Sequence, residues 1–174
     1  LHPAKNNLIE TIEKSIEPLQ QLIKNKNISI YIESKNSVIA YYDEDRIIQV
    51  ITNLVSNAIK HTEKNGTVSI SATTQAGKII VCIEDTGIGI PENKRKSIFE
   101  AFTQATSSTS RKYGGTGLGL AITANLIQSC GGQLPSRNLR WPHCRSRIPQ
   151  AGSWCMCWIV SAVARVWHSN MLRP

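Results

Sequence analysis

The chain has 174 residues, room for one domain with a real core and too little for two of comfortable size. Hydrophobic residues make up 41% and charged residues 18%, which excludes a disordered chain, and no apolar run reaches the roughly 18–20 residues of a membrane helix. The net charge of +8 would point to nucleic acid, but residues 1–133 hold 14 Lys+Arg and all 12 acids, whereas residues 134–174 hold six Arg and neither Lys nor acid.

In chain order, Leu8, Ile9, Ile12, Ile16, Leu19, Leu22 and Ile23 recur at helical spacing, predicting a helix over 7–24 that Pro18 kinks or splits. The alternation in 28–34 predicts a strand, with 38–42 as its pairing candidate. Asp43, Glu44 and Asp45 supply an N-cap and first-turn acids for a helix running to His61. Residues 67–73 and 78–85 read as a strand hairpin, 85–91 as a turn-rich loop and 93–102 as a short helix. A polar Ser/Thr-rich stretch over 103–115 reads as mobile. A helix over 116–130 follows, opened by glycines and ended by Gly131-Gly132.

Five cysteines without regular spacing do not make a disulfide framework, and the N-terminus has no export pattern, so the expected setting is reducing and cytoplasmic. His143, Cys144, Cys155 and Cys157 are four zinc-type ligands, but not at a standard spacing, and they read as accidental. The arginines of the tail come with no recognition motif, so no nucleic acid is expected. No membrane contact is expected either.

The helix over 46–61 poses a question of composition. Ile47, Val50, Ile51, Leu54, Val55 and Ala58 form one apolar arc. Asn53, Asn57 and Lys60 cluster on another, within about 60° of each other at the helical rotation per residue. Asparagine is a mediocre helix former, because its amide competes for backbone hydrogen bonds. An amide oxygen in such a place can ligate Mg²⁺, and an ammonium beside it can neutralise phosphate. A solvated polar face is the plainer reading of this helix taken alone.

Along 78–85, alternation puts Ile79, Val81, Ile83 and Asp85 on one strand face. Asp85 thus ends the more apolar face, where a carboxylate is costly unless a donor meets it. An adenine amino group is such a donor, and Gly87 and Gly89 let the backbone approach a flat ring. The triplet Asp85-Thr86-Gly87 also occurs in aspartic proteases, but no second copy is present. Downstream, Gly114, Gly115, Gly117 and Gly119 stand at the mouth of a helix, where bare N–H groups bind anions. The stretch is no Walker A loop, since no GK[ST] follows. No strand leads directly into it, which argues against a dinucleotide fingerprint.

In order and spacing, these segments resemble the ATP-binding catalytic domain of sensor histidine kinases, in the superfamily shared with gyrase and MutL. "NLVSNAIKHT" is similar to the N box, "DTGIGIP" to the first glycine box, "IFEAFTQ" to the F box and "GGTGLGLAI" to the second glycine box. The resemblance covers roughly 5–133 and implies one ATP-binding domain over 1–133, leaving 134–174 as an atypical Arg/Trp/Cys-rich tail. It implies an α/β (α+β) two-layer sandwich of the Bergerat type, a mixed sheet covered on one face by helices, with a mobile ATP lid. It implies ATP and Mg²⁺ as cofactors. Asn57 would ligate the metal with Asn53 beside it, Lys60 would contact phosphate, and His61 would lie near adenine or ribose. Asp85 would accept from the adenine amino group, with Gly87, Gly89 and Ile90 giving the ring room. Phe99 and Phe102 would anchor the lid, or simply pack in the core. Arg111 or Lys112 would meet the γ-phosphate, and Gly115, Thr116, Gly117, Leu118 and Gly119 would line the phosphates.

In ATP-hydrolysing relatives a Glu stands four residues before the metal Asn and activates water; here that position is Asn53, which is no base. The resemblance therefore implies γ-phosphoryl transfer to a histidine, by positioning and electrostatics. The competing readings are an ATPase or anti-sigma serine kinase of the same superfamily, or an idle nucleotide-binding module. His2, His61, His143 and His168 do not match the family's acceptor context, so the acceptor is expected on a separate dimerisation domain. A response regulator receiver domain would be the onward partner. The domain is expected to be cytoplasmic, whether or not the parent kinase is membrane-anchored. The tail departs from the family's terminal two strands, and the hypothesis that its composition suggests is a wrong reading frame beginning near Leu134. Its apolar part, 153–167, is expected to cover the sheet as a strand or helix, or to promote aggregation.

Overall fold

The computed structural model describes residues 1–34, 37–75, 78–90, 92–94, 97–100, 118–132 and 154–160. The chain begins with a short strand, β1 (Ala4–Asn7), and turns directly into α1 (Leu8–Ile16). Asn7 caps α1 by accepting from the Ile9 N–H, which satisfies one of the donors that a helix start leaves bare. Pro18 lies in a 3-10 turn, Glu17–Leu19, and α2 (Gln20–Lys26) resumes beyond it, so the proline splits the long helix as expected.

Two strands follow, β2 (Ser29–Glu33) and β3 (Ile39–Tyr42). They do not pair with each other, contrary to the expectation from sequence. β3 pairs antiparallel with β1, and β2 pairs parallel with β4 (Thr67–Gln75), which follows α3 (Glu44–His61). Proximity in sequence favoured a hairpin; burial of Val38, just before β3, and of Ala40 and Tyr42 within it, beside α1, decides otherwise. Asp43 caps α3 through the Arg46 N–H at 3.2 Å.

β4 and β5 (Lys78–Asp85) form the antiparallel pair that the alternation predicts. β6 (Trp154–Val160) pairs antiparallel with β5 and completes a mixed sheet in the order β2-β4-β5-β6. Trp154–Val160 of the apolar tail segment thus joins the sheet as an edge strand. Val68, Ile70 and Ala72 of β4 and Ile79, Val81 and Ile83 of β5 are buried in one cluster with Ile47, Val50, Ile51, Leu54 and Val55 of α3. That is the helical layer on one face of the sheet. Alternate residues of β4, Ser69, Ser71 and Thr73, are more exposed, as period-two geometry requires. Cys82 is disulfide-bonded, where the sequence reading expects thiols, and Cys157 stands opposite it in the β5–β6 register.

The predicted helix over 93–102 is instead two 3-10 turns, Glu92–Lys94 and Ser97–Phe99, among its described residues. α4 (Gly119–Ser129) starts three residues later than predicted and ends at Gly131, whose φ of 73° is the left-handed conformation expected of a C-terminal glycine. The region assigned to the lid, 103–115, lies outside the described residues.

Where α1 meets β3, two polar groups are buried together. The Thr11 hydroxyl is 2.7 Å from the Tyr42 hydroxyl, and burial of that phenol pushes its pKa up to about 12. Ser15 donates to the Thr11 carbonyl at 2.6 Å, and Thr52 of α3 donates to the Ser15 carbonyl at 3.0 Å. These bonds fix α3 against α1, and α3 carries the candidate site.

Candidate functional site

α3 buries one stripe of apolar residues in the core, which forces its polar arc toward the neighbouring α4 and the loop after β5. Asn53, Asn57 and Lys60 are half-buried on that arc. The Asn53 amide is 3.5 Å from the hydroxyl of Thr123, a fully buried residue of α4, a contact at the outer limit of a hydrogen bond. Asn57 faces the start of the same helix: a Cβ on Gly119 would lie 3.9 Å from the Asn57 Nδ2. Among the described residues no side chain caps α4. The structure thus sets an amide of α3 beside the N-terminus of α4.

Asp85 ends β5 on the buried face, as alternation predicts. Its Oδ1 accepts from the Gly87 N–H at 2.8 Å, and its Oδ2 has no hydrogen-bond partner among the described residues. Burial raises its pKa to about 6, although the Gly87 bond pulls the other way. A carboxylate held in this way is an acceptor waiting for a donor.

Gly87 is required by packing. A Cβ there would stand 2.6 Å from the Asp85 Oδ1 and 2.6 Å from the His61 carbonyl. Gly89 has φ 71°, which favours glycine. The Ile88 N–H donates to the His61 carbonyl at 3.3 Å, tying the loop to the end of α3; the Ile88 side chain is exposed and Ile90 is half-buried. His61 is exposed as a residue, yet enough protein surrounds its ring that desolvation is the main cause of its lowered pKa. The charges of Lys26 and Lys60 add to it.

Asn53, Asn57, Lys60, His61, Asp85, Gly87, Gly89, Ile90, Leu118 and Gly119 therefore occur on three adjoining segments: the end of α3, the loop after β5 and the start of α4. Phe99 is half-buried beside the buried Ile98. Phe102, Arg111, Lys112, Gly115, Thr116 and Gly117 lie outside the described residues. Among the described residues no three His, Cys, Asp or Glu side chains gather as a metal site. A hard cation here would use amide oxygen and the phosphates of a bound nucleotide, a donor set that suits Mg²⁺ and its retained waters.

Three supporting residues escape a sequence reading. Thr62 is buried and donates to the Ala58 carbonyl at 2.7 Å. Thr86 bridges to Thr67, accepting from its N–H at 2.9 Å. Lys26 reaches the end of α3 from α2. Their types are ordinary, and only the fold brings them to the site.

The family described as histidine kinase-, DNA gyrase B- and HSP90-like ATPase matches residues 42–158. The signal transduction histidine-protein kinase BarA of Escherichia coli (strain K12) is 41% identical over 134 residues, covering 73% of this chain and 14% of that kinase. Curated relatives are much longer: the chain spans between 6% and 20% of their length. The catalytic domain of histidine kinase ThkA superposes with a TM-score of 0.74 at 27% identity, covering 92% of this chain and 95% of that one. ThkA in complex with response regulator protein TrrA gives a TM-score of 0.69 at 25% identity, covering 91% of this chain and 41% of that one. With its α+β sandwich, its carboxylate beside a glycine turn and its asparagine helix, the chain belongs to the histidine kinase-, DNA gyrase B- and HSP90-like ATPase family, as an ATP-binding catalytic domain of the histidine kinase type.

Proposed function

We propose that the domain binds Mg-ATP between the end of α3, the loop after β5 and the start of α4, and passes the γ-phosphoryl group to a histidine on a separate dimerisation domain. The observation that carries this reading is the Asp85 carboxylate, half-buried, pinned by Gly87 through one oxygen and open to a donor at the other. The adenine amino group fits that acceptor. Mg²⁺, when bound, neutralises charge developing between the β- and γ-phosphates. Asn57 would hold the metal and Asn53 would steady it. Lys60 would bring positive charge to the phosphates, and the N–H groups of Leu118 and Gly119 would face them. His61 would border the adenine or ribose. Arg111, Lys112, Gly115, Thr116 and Gly117 remain assigned to the phosphates by their place in the motifs.

Asn53 cannot deprotonate water, which favours transfer over hydrolysis. All of these site residues lie within 1–133; of 134–174, the sheet takes β6. The reading of 134–174 as out of frame stays testable by sequencing the coding DNA; one uninterrupted frame shared by relatives through this stretch refutes it. Onward transfer to a response regulator is supported by the ThkA–TrrA assembly. Among the described residues no helix is long and apolar enough to cross a membrane.

The test is to mix the chain with a purified histidine-bearing dimerisation domain and γ-labelled ATP. Acid-labile label on that domain, lost with Asp85→Asn, supports the proposal. Steady phosphate release without an acceptor supports an ATPase. Nucleotide binding without either supports an idle module.

A further inference from the structure

A helix leaves its last four carbonyls without partners. At the end of α3 every one of them is taken, three of them by donors from outside the helix. The Ala58 carbonyl accepts from the N–H and hydroxyl of Thr62. The Lys26 ammonium, at the last position of α2, donates to the carbonyls of Ile59 at 3.0 Å, Lys60 at 2.6 Å and Thr62 at 2.9 Å. An ammonium has three N–H donors, and here three carbonyls meet them. The fourth carbonyl, His61, accepts from Ile88 of the glycine loop. One cation thus holds the turn that presents Lys60 and His61, next to the carbonyl that holds the loop in place.

We propose that Lys26 is a positioning residue of the nucleotide site, fixing the carbonyl end of α3 so that Lys60, His61 and the loop from Thr86 to Ile90 keep one mutual arrangement. The inference rests on the ATP-site reading above. A simple helix-end stabiliser is the alternative, since any cation near a helix C-terminus is favourable. Two features separate the cases. Lys26 comes from a different helix, so it couples α2 to the site. It also grips the Lys60 and Thr62 carbonyls, which flank the His61 carbonyl that the loop's Ile88 N–H meets, and its charge is one of the causes that lower the His61 pKa.

The experiment compares the full chain with Lys26→Met and Lys26→Arg. Affinity for an ATP analogue with Mg²⁺ is measured well below each melting temperature, and the His61 imidazole is titrated by NMR. Loss of charge-assisted hydrogen bonds predicts affinity weaker by about five- to tenfold in Lys26→Met. The His61 pKa should rise in that variant. Arginine keeps the charge and several donors, so it should recover most of the affinity and keep the His61 pKa low. A Lys26→Met chain with a lower melting temperature but unchanged affinity and unchanged His61 titration overturns the proposal. If Lys26→Met does not fold, Lys26→Gln, which also removes the charge but keeps an N–H donor, takes its place: weaker affinity at a temperature well below its melting point with a raised His61 pKa supports the proposal, and unchanged affinity with an unchanged His61 titration overturns it. Failure of the unaltered chain to bind nucleotide is a different result. It removes the ATP reading itself, and the positioning role with it.

Discussion

Asp85→Asn should stabilise the nucleotide-free domain while abolishing its response to ATP. The carboxylate sits at the end of the buried face of β5, and burial raises its pKa from an ordinary 3.8 to about 6. Each tenfold change in proton affinity corresponds to about 1.4 kcal/mol between the protonation states, so the ionised group costs the fold on the order of 3 kcal/mol. Asparagine keeps an oxygen for the Gly87 N–H but makes a weaker bond than the anion does. A net gain of about 1–2 kcal/mol, worth about 2–8 °C in melting temperature, is expected above pH 7. The sign follows from proton counting. Between the unfolded pKa near 3.8 and the folded value near 6, the folded state binds more protons than the unfolded one. Stability from this group is therefore greatest at low pH, falls as pH rises through that window, and stays level above it. The difference in melting temperature between variant and parent should be small near pH 4, open between pH 4 and 6, and level off above pH 7. Calorimetry or fluorescence melts across that range, each with and without Mg-ATP analogue, supply both readouts. A variant less stable than the parent at pH 7.5, or a gap that ignores pH, refutes the claim that a desolvated carboxylate held by the Gly87 N–H is stored at this site.

Gly87→Ala should abolish nucleotide binding in calorimetric titration and lower the denaturation midpoint, since its Cβ would press on the Asp85 carboxylate and the His61 carbonyl at 2.6 Å; such overpacking costs about 1–3 kcal/mol. Asn57→Ala should leave the melting temperature within a few degrees, because the side chain is half-buried on a helix that alanine favours, and should remove the gain in nucleotide affinity on adding Mg²⁺. Unchanged Mg²⁺ dependence would take the metal away from this residue. Tyr42→Phe should cost only about 0.5–1.5 kcal/mol in urea unfolding, because it removes one buried hydrogen bond while the Thr11 hydroxyl keeps the Asn7 carbonyl and the Glu44 carboxylate as acceptors. In spectrophotometric titration of the parent, one tyrosine should stay protonated until about pH 12.

Much of the site was legible because its signals are local. The Asn53–Asn57–Lys60 arc follows from helical rotation alone, and Asp85 on the buried face follows from strand alternation. The glycines at 87 and 89 announce a turn before any fold is known. The limits of α3 were set by Asp43 as an N-cap and by the chain's own periodicity. Other features depend on which segments meet. Nothing in 28–42 says that β3 abandons β2 for β1, because either pairing satisfies the alternation; burial of Tyr42 against Thr11 decides it. The composition of the tail pointed to an alien segment, and only the sheet shows Trp154–Val160 hydrogen-bonded beside β5. Lys26 is an ordinary lysine at a helix end until α2 and α3 are packed. Periodicity and glycine placement therefore determined the elements and the polar faces they present. Strand partners, the burial that raises the Asp85 pKa and the cation seated on the end of α3 were decided only in three dimensions, because each depends on residues far apart in the chain reaching the same few ångströms of space.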